Sequence, residues 1–108
     1  MLICNAFSLN MLNALNADIA VRPLALQDVR DFAERKGLKS AVGHPDTAAV
    51  FSGVLGIEVP ANRVTVKLEP GDRMVVGQYR GPRLEAGATE LPPDATIEWC
   101  LVVIESGR

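Results

Sequence analysis

Residues 97–105, IEWCLVVIE, contain the longest unbroken apolar run of the chain and constrain its fold more than any other stretch. Such a run, rich in β-branched and aromatic residues, predicts a well-buried strand. A buried strand needs sheet neighbours and a layer that covers it, and 108 residues supply one hydrophobic core. We therefore predict a single domain over residues 1–108, built on a sheet.

Two further segments have the pattern of helices that pack on this sheet. Residues 26–37, LQDVRDFAERKG, are amphipathic and end at Gly37, a natural helix stop. Residues 45–56, PDTAAVFSGVLG, begin with Pro45, which suits the first helical position, and end at Gly56. We expect two buried apolar stripes: Leu26, Val29, Phe32 and Ala33 in the first helix, and Val50, Phe51, Val54 and Leu55 in the second.

The rest of the sheet is predicted from shorter extended segments, which are residues 2–7, 19–24, 38–43, 63–68 and 73–80. Pro23 marks the second of these as an edge strand or as a strand end. The alternation in RVTVKL, residues 63–68, followed by the turn EPGD, predicts a hairpin with residues 73–80. A brief helix over residues 9–16, capped by Ser8, follows the first strand. These elements predict an α+β fold: a mixed, mostly antiparallel sheet of about five strands with flanking helices.

The charges of the chain favour a small anionic ligand over a long nucleic acid. The formal net charge is −2, but residues 62–83 carry five basic side chains against two acidic ones. A locally basic stretch inside an acidic protein suits a ligand with a few phosphates better than a duplex. The same charges also fit an ordinary solvent-exposed hairpin, so charge alone leaves both interpretations open.

The cysteines and the single histidine bear on redox state, metals and location. Cys4 and Cys100 lie in apolar strand-like runs, and without a signal peptide we expect buried, reduced thiols in a soluble cytosolic protein. The N-terminal run MLICNAF is too short to span a membrane. One histidine and two distant cysteines give no zinc pattern, so we expect no metal and no cofactor. A nucleophilic pair of Cys4 and His44 stays open, although buried thiols tend to be inert.

Polar side chains follow several of the predicted strands. They are Asn5 and Ser8 after the first, His44 after the third, and Gln78 and Arg83 on or after the fifth. Ligands gather at such strand ends beside helix N-termini, whose free N–H groups can hold phosphate oxygens. Each residue also has a purely structural explanation, because a serine there caps a helix and a lone histidine at a junction belongs to a turn.

A more specific resemblance is carried by three segments: NAFSLNML (5–12), AVGHPDTAAVFSGVLGIEVPANRV (41–64) and GDRMVVGQYRGPRLEAG (71–87). Their N-A-F-S and G-H-x-x-T signatures resemble a small-domain family of archaeal viruses, phages and bacteria that includes the viral anti-CRISPR ring nucleases. The resemblance covers nearly the whole chain. It implies a mixed sheet with flanking helices, a homodimer in the host-cell cytoplasm, and destruction of cyclic tetra-adenylate, the second messenger of type III CRISPR defence.

The resemblance also implies roles for individual residues. Ligand binding falls on Asn5, Ser8, Arg63 and Gln78, and catalysis falls on His44, Arg83 and Glu85. One departure concerns the last of these. Family members often have R-L-x-E-G, whereas residues 83–87 are RLEAG here, so the carboxylate of Glu85 stands one place early.

The implied reaction is RNA chemistry that needs no metal. Each phosphate of cyclic tetra-adenylate has an internal nucleophile, the adjacent 2′-hydroxyl, whose alignment with the leaving 5′-oxygen supplies a large effective concentration. His44 is the candidate general acid, because histidine titrates near neutrality when unperturbed. Arg83 is the candidate for stabilising the transition state, and Glu85 for orienting His44 or acting as base.

The expected partners are cyclic tetra-adenylate and a second copy of the chain, with no duplex nucleic acid and no membrane. A two-fold symmetric dimer would place two copies of His44 on opposite phosphodiesters and give linear di-adenylate products. Two alternatives from other classes stay open. The protein could bind cyclic oligo-adenylates without cutting them, or it could be a dimeric protein–protein adaptor.

Overall fold

A computed structural model of the protein describes residues 1–107, and within them five strands form one sheet. The strands are β1 (Leu2–Cys4), β2 (Ala17–Leu24), β3 (Lys39–Ser40), β4 (Arg73–Arg80) and β5 (Thr96–Gly107). Their order in the sheet is β2-β5-β4-β1-β3. β1 runs parallel to β3 and β4, whereas β5 runs antiparallel to β2 and β4 over long registers. The predicted α+β fold with a mixed, mostly antiparallel sheet is confirmed.

Two helices, α1 (Leu26–Lys36) and α2 (Pro45–Leu55), pack against the sheet through one shared core. Gly37 closes α1, and Gly56 closes α2 in the left-handed conformation that glycine tolerates best. Both helices therefore begin and end where their sequences predict. Within residues 1–107, no helix has the length and apolar character needed to cross a membrane.

The centre of this core is a pair of aromatic rings, Phe51 on α2 and Trp99 on β5, whose centroids are 4.9 Å apart. Gly77 of β4 lies opposite Trp99 in the strand register. A Cβ atom at Gly77 would stand 2.6 Å from Trp99 Cζ3 and 2.7 Å from Phe51 Cζ, closer than side chains approach one another. The bare backbone at Gly77 therefore lets both rings pack on β4 and brings α2 close to the sheet.

The opposite face of the sheet is covered by irregular chain. Met74 and Val76 of β4 alternate with Val75 and belong to a second buried cluster on that face. Val66 and Leu68 complete this cluster from the segment between α2 and β4. The hydrophobic core thus lies on both sides of the sheet, and α1 and α2 both cover the same side.

The predicted hairpin of residues 63–68 with residues 73–80 is wrong. Residues 63–68 form no strand. Leu68 makes an isolated parallel bridge with Leu12, outside the five strands. β4 pairs instead with β1 and β5 in the middle of the sheet. Val66 and Leu68 pack onto the sheet face and Lys67 between them is exposed, whereas Val64, the first apolar residue of the alternation, is also exposed.

The predicted helix over residues 9–16 is also wrong. Only Leu9–Met11 form a short 3₁₀ turn. The chain then leaves the helical path to meet Leu68, whose N–H donates to the Met11 carbonyl at 2.6 Å. Ser8 precedes the turn, but its hydroxyl makes no cap hydrogen bond. The Ser8 side chain is exposed, and it does not cap the helix that it was expected to start.

Candidate functional site

The carboxyl ends of β1, β3 and β4 meet at one edge of the sheet, because β1 runs parallel to both neighbours. β1 and β3 end earlier than predicted, at Cys4 and Ser40, so the chain turns away close to this edge. Asn5 follows β1, His44 follows β3 after a short loop, and Gly81 follows β4. Ligands commonly bind beside such strand ends. This edge is therefore the candidate site.

His44 stands at the start of α2. Its backbone is extended, with φ −109° and ψ 122°, and Pro45 opens the helix directly after it. The side chain is exposed and makes no cap hydrogen bond to the helix. A side chain that neither caps nor fills the core contributes little to the fold. The imidazole is therefore available to a ligand.

The imidazole borders a cleft of about 760 Å³ between the start of α2 and the loop after β4. A cleft of this size falls in the range of small-molecule sites. Arg83 lines the same cleft, so the structure brings together two predicted site residues that are far apart in the sequence. The other polar residues of the lining are Asp46, Thr47 and Tyr79.

Two side-chain hydrogen bonds connect the loop after β4 to β4 and α2. The Tyr79 hydroxyl donates to the Pro82 carbonyl at 2.6 Å, and the Gly87 N–H donates to the Asp46 carboxylate at 3.0 Å. The sequence predicts neither Tyr79 nor Asp46 as part of the site. Asp46 and Gly87 are 41 positions apart, so no local pattern reveals their contact. The one clue is an acidic residue in the first turn of a helix, and the helix dipole alone explains that.

Arg63 lies beside the turn that carries His44. The backbone N–H of the preceding residue, Asn62, donates to the Val42 carbonyl at 2.8 Å. A Cβ atom on Gly43 would lie 3.8 Å from the Cα, Cβ and Cγ atoms of Arg63, so the two backbones pass close to each other. The structure therefore places Arg63 at the same edge of the sheet as His44.

The remaining predicted ligand-binding residues do not line the His44 cleft. Asn5 is half-buried after β1, and Ser8 is exposed. Gln78 is exposed on β4 and shares the strand face of Val76, which is the face turned away from α2. The predicted site residues thus do not form one cluster: His44 and Arg83 share a cleft on the α2 side of the sheet, and Gln78 lies on the other side.

Glu85 is separated from His44. It lines a neighbouring cavity of about 500 Å³, and the lining of the His44 cleft does not include it. The Ala88 N–H donates to the Glu85 carbonyl at 3.0 Å, which makes residues 85–88 a turn. Arg83 borders both cavities, so the loop itself forms the wall between them.

The two cysteines are free thiols with different exposures. Cys4 is buried and its thiol donates to the Ala41 carbonyl at 3.3 Å, a structural role. Cys100 is half-buried, more exposed than predicted. Burial, and secondarily the Glu98 carboxylate, raises the pKa of the Cys100 thiol, so this group is a poor nucleophile at neutral pH.

Metal coordination has no candidate cluster in the described chain. Across residues 1–107, no group of three or more histidine, cysteine, aspartate or glutamate side chains is arranged to hold a metal ion. The groups that this edge offers to a ligand are its histidine, its arginines and its helix N-terminus.

The fold and this edge define a class of protein: a small α+β domain with a polar and basic cluster at the carboxyl ends of its parallel strands. Within that class, the model of the STIV B116-like family matches residues 1–94. The chain belongs to this family.

Two proteins illustrate the similarity. The solved structure of B116 of Sulfolobus turreted icosahedral virus has a TM-score of 0.76 and 27% sequence identity, covering 94% of this chain and 97% of that one. Uncharacterized protein 26 of Sulfolobus islandicus filamentous virus (isolate Iceland/Hveragerdi) is 30% identical over 57 residues, which are 53% of this chain and 48% of the relative. The match therefore spans about half the length of that curated relative, whereas the likeness to B116 extends over nearly the whole fold.

Proposed function

We propose that this protein is a ring nuclease that cleaves cyclic tetra-adenylate. The observation that carries the proposal is the shared cleft of His44 and Arg83 at the N-terminus of α2. A proton donor, a cation and free helix N–H groups can protonate the leaving oxygen and stabilise the negative charge when a phosphodiester is cleaved. The choice of substrate rests on the resemblance of the N-A-F-S and G-H-x-x-T segments to the ring nucleases.

The reaction uses the ribose of the substrate as nucleophile. The 2′-oxygen attacks the adjacent phosphorus and releases its proton to solvent, while the bond between phosphorus and the 5′-oxygen breaks. His44, as imidazolium, gives its proton to the departing 5′-oxygen and is left neutral. Arg83 and the first N–H groups of α2 stabilise the charge on the pentacovalent phosphorus. Each cut yields a 2′,3′-cyclic phosphate and a 5′-hydroxyl, and two cuts across the ring yield linear di-adenylates.

The proposal includes a homodimer that holds the ring across its two-fold axis. Two large apolar side chains adjoin the predicted ligand-binding residues and are open to solvent: Leu9, next to Ser8, is 61% exposed, and Val64, next to Arg63, is 48% exposed. We propose that both side chains belong to the surface that a second copy covers. A second copy seated there would bring further predicted site residues around one ring.

Light scattering should give a mass twice the 11.6 kDa of one chain. Leu9→Asp should weaken the dimer about tenfold or more, because the substitution places a charge where the partner would bury an apolar side chain. Glu34→Lys, a charge change at an exposed position of α1, is the control and should leave the mass unchanged. A monomer that binds one ring per chain would contradict the dimer.

Incubation with cyclic adenylates of different ring sizes, followed by separation of the products, tests the function itself. We expect multiple turnovers of the tetra-adenylate to linear products, at the same rate with and without a chelator, because the nucleophile belongs to the substrate. Activity that disappears with the chelator and returns with a divalent ion would contradict the mechanism.

A second candidate function is supported by the position of Glu85. With this carboxylate outside the His44 cleft, a protein that binds the ring and does not cut it is a coherent alternative. Excess ligand distinguishes the two, since a binding protein saturates without product. A protein that shows no thermal shift with any ring would support a protein–protein adaptor.

A further inference from the structure

Two hydrogen bonds bracket the segment of the loop that carries Arg83. At its start, the Tyr79 hydroxyl binds the Pro82 carbonyl at 2.6 Å, and at its end the Asp46 carboxylate accepts the Gly87 N–H at 3.0 Å. Both side chains come from regular elements, β4 and the first turn of α2. Between the two bonds, the segment that includes Arg83 is largely exposed. The bonds therefore connect a solvent-exposed loop to rigid parts of the fold.

The charge of Asp46 argues against direct contact with a phosphate. Its carboxylate lines the cleft beside His44, where a free negative charge would repel an anionic ligand. The bond to Gly87 engages this carboxylate with a backbone donor of the loop. Gly87 has a φ of +81°, a backbone conformation that glycine adopts readily and that presents its N–H here. The hydrogen bond between Gly87 and Asp46 therefore connects the loop after β4 to the first turn of α2.

We propose that Asp46 and Tyr79 are positioning residues that hold Arg83 across the cleft from His44. This inference rests on the proposed function, because Arg83 matters to the rate only if a phosphodiester is cleaved there. Asp46 joins the loop to the same helix turn that carries His44, so one bond couples the position of the cation to that of the acid. Tyr79 fixes the other end of the segment, so both residues act through the loop that carries Arg83.

The test combines Asp46→Ala, Asp46→Asn and Tyr79→Phe with Glu34→Ala as the control for removal of an exposed carboxylate. Limited trypsin digestion, with the cut bond identified by mass spectrometry, measures cleavage after Arg83 and needs no substrate. Losing one hydrogen bond should speed this cleavage about three- to tenfold in Asp46→Ala and Tyr79→Phe. Asp46→Asn should resemble the unmodified protein, because its amide oxygen still accepts the Gly87 N–H. A thermal melt of each variant verifies folding, and Tyr79→Phe carries the test if Asp46→Ala does not fold.

Steady-state kinetics supply the second measurement. We expect kcat to fall about tenfold or more in Asp46→Ala and Tyr79→Phe with little change in KM, because misplacing a group slows the chemical step more than it weakens binding. Asp46→Asn should restore kcat. If trypsin cleaves Asp46→Ala and Tyr79→Phe at the rate of the unmodified protein, the inference is overturned. Faster trypsin cleavage of these two variants with an unchanged kcat would overturn it as well. If the unmodified protein cuts no ring, the proposed function fails, and the trypsin comparison alone then decides whether the two bonds hold the loop.

Discussion

His44→Ala should lower the rate of cyclic tetra-adenylate cleavage by about 10²–10⁴, the usual contribution of a positioned general acid. The rate falls because the departing 5′-oxygen loses its proton donor. The fold should persist, because the imidazole is exposed and makes no cap hydrogen bond. Most of the affinity should persist as well, because Arg83 and the N–H groups of α2 stay in place. Single-turnover rates, thermal melts and binding isotherms measure these three effects separately.

His44→Asn is the matched control for the helix start. Asparagine is among the best residues at the position before a helix, so it preserves or strengthens the start of α2. Its amide cannot deliver a proton to a leaving oxygen. We expect a rate as low as that of His44→Ala, with stability at least equal to that of the unmodified protein. If either variant cuts at near the normal rate, His44 has only a structural role in the turn.

A ring of four 2′-deoxyadenylates should bind and resist cleavage by the unmodified protein. Its phosphates and bases are unchanged, but each phosphodiester lacks the adjacent hydroxyl. Loss of an aligned internal nucleophile should slow the reaction about 10⁵-fold or more, which leaves no measurable product. Competition with the ribose ring measures binding, and chromatography measures the products.

A ring with one ribose and three deoxyriboses tests whether cleavage occurs only beside a 2′-hydroxyl. It should be opened once, at the phosphodiester that follows its single 2′-hydroxyl, and cut no further. Cleavage of the all-deoxy ring, or of the mixed ring at a deoxyribose, would mean that water or a protein group attacks the phosphorus. The mechanism would then be wrong even if His44 proved essential.

The contrast between α2 and residues 63–68 shows which parts of this fold can be predicted locally. Pro45 and Gly56 mark both ends of α2, and its apolar residues repeat at helical spacing. The alternation in residues 63–68 is equally clear, but of its apolar residues only Val66 and Leu68 are buried, while Val64 is exposed. Leu68 packs on a sheet face, while the places beside β4 belong to β1 and β5. Strand pairing depends on distant parts of the chain, which a local pattern does not encode.

Some residues of the candidate site can likewise be predicted from the local sequence, and others cannot. His44 can be singled out because it is the one histidine and stands between a predicted strand and a predicted helix, and Arg83 because it follows the predicted strand over residues 73–80. Tyr79 and Asp46 enter the site through single bonds to the loop backbone, and such bonds leave no periodic trace in the sequence. The position of Glu85 depends on the turn at residues 85–88, which belongs to the same loop. A local sequence pattern does not reveal this position either.

The aromatic pair in the core gives the protein an intrinsic optical probe. Trp99 is the single tryptophan of the chain, is 7% exposed, and packs against Phe51 of α2, the helix whose first turn borders the cleft. Indole fluorescence responds to the polarity and to the quenching groups around the ring. A displacement of α2 on the sheet changes both, so the emission of Trp99 follows the position of this helix during a titration without any added dye.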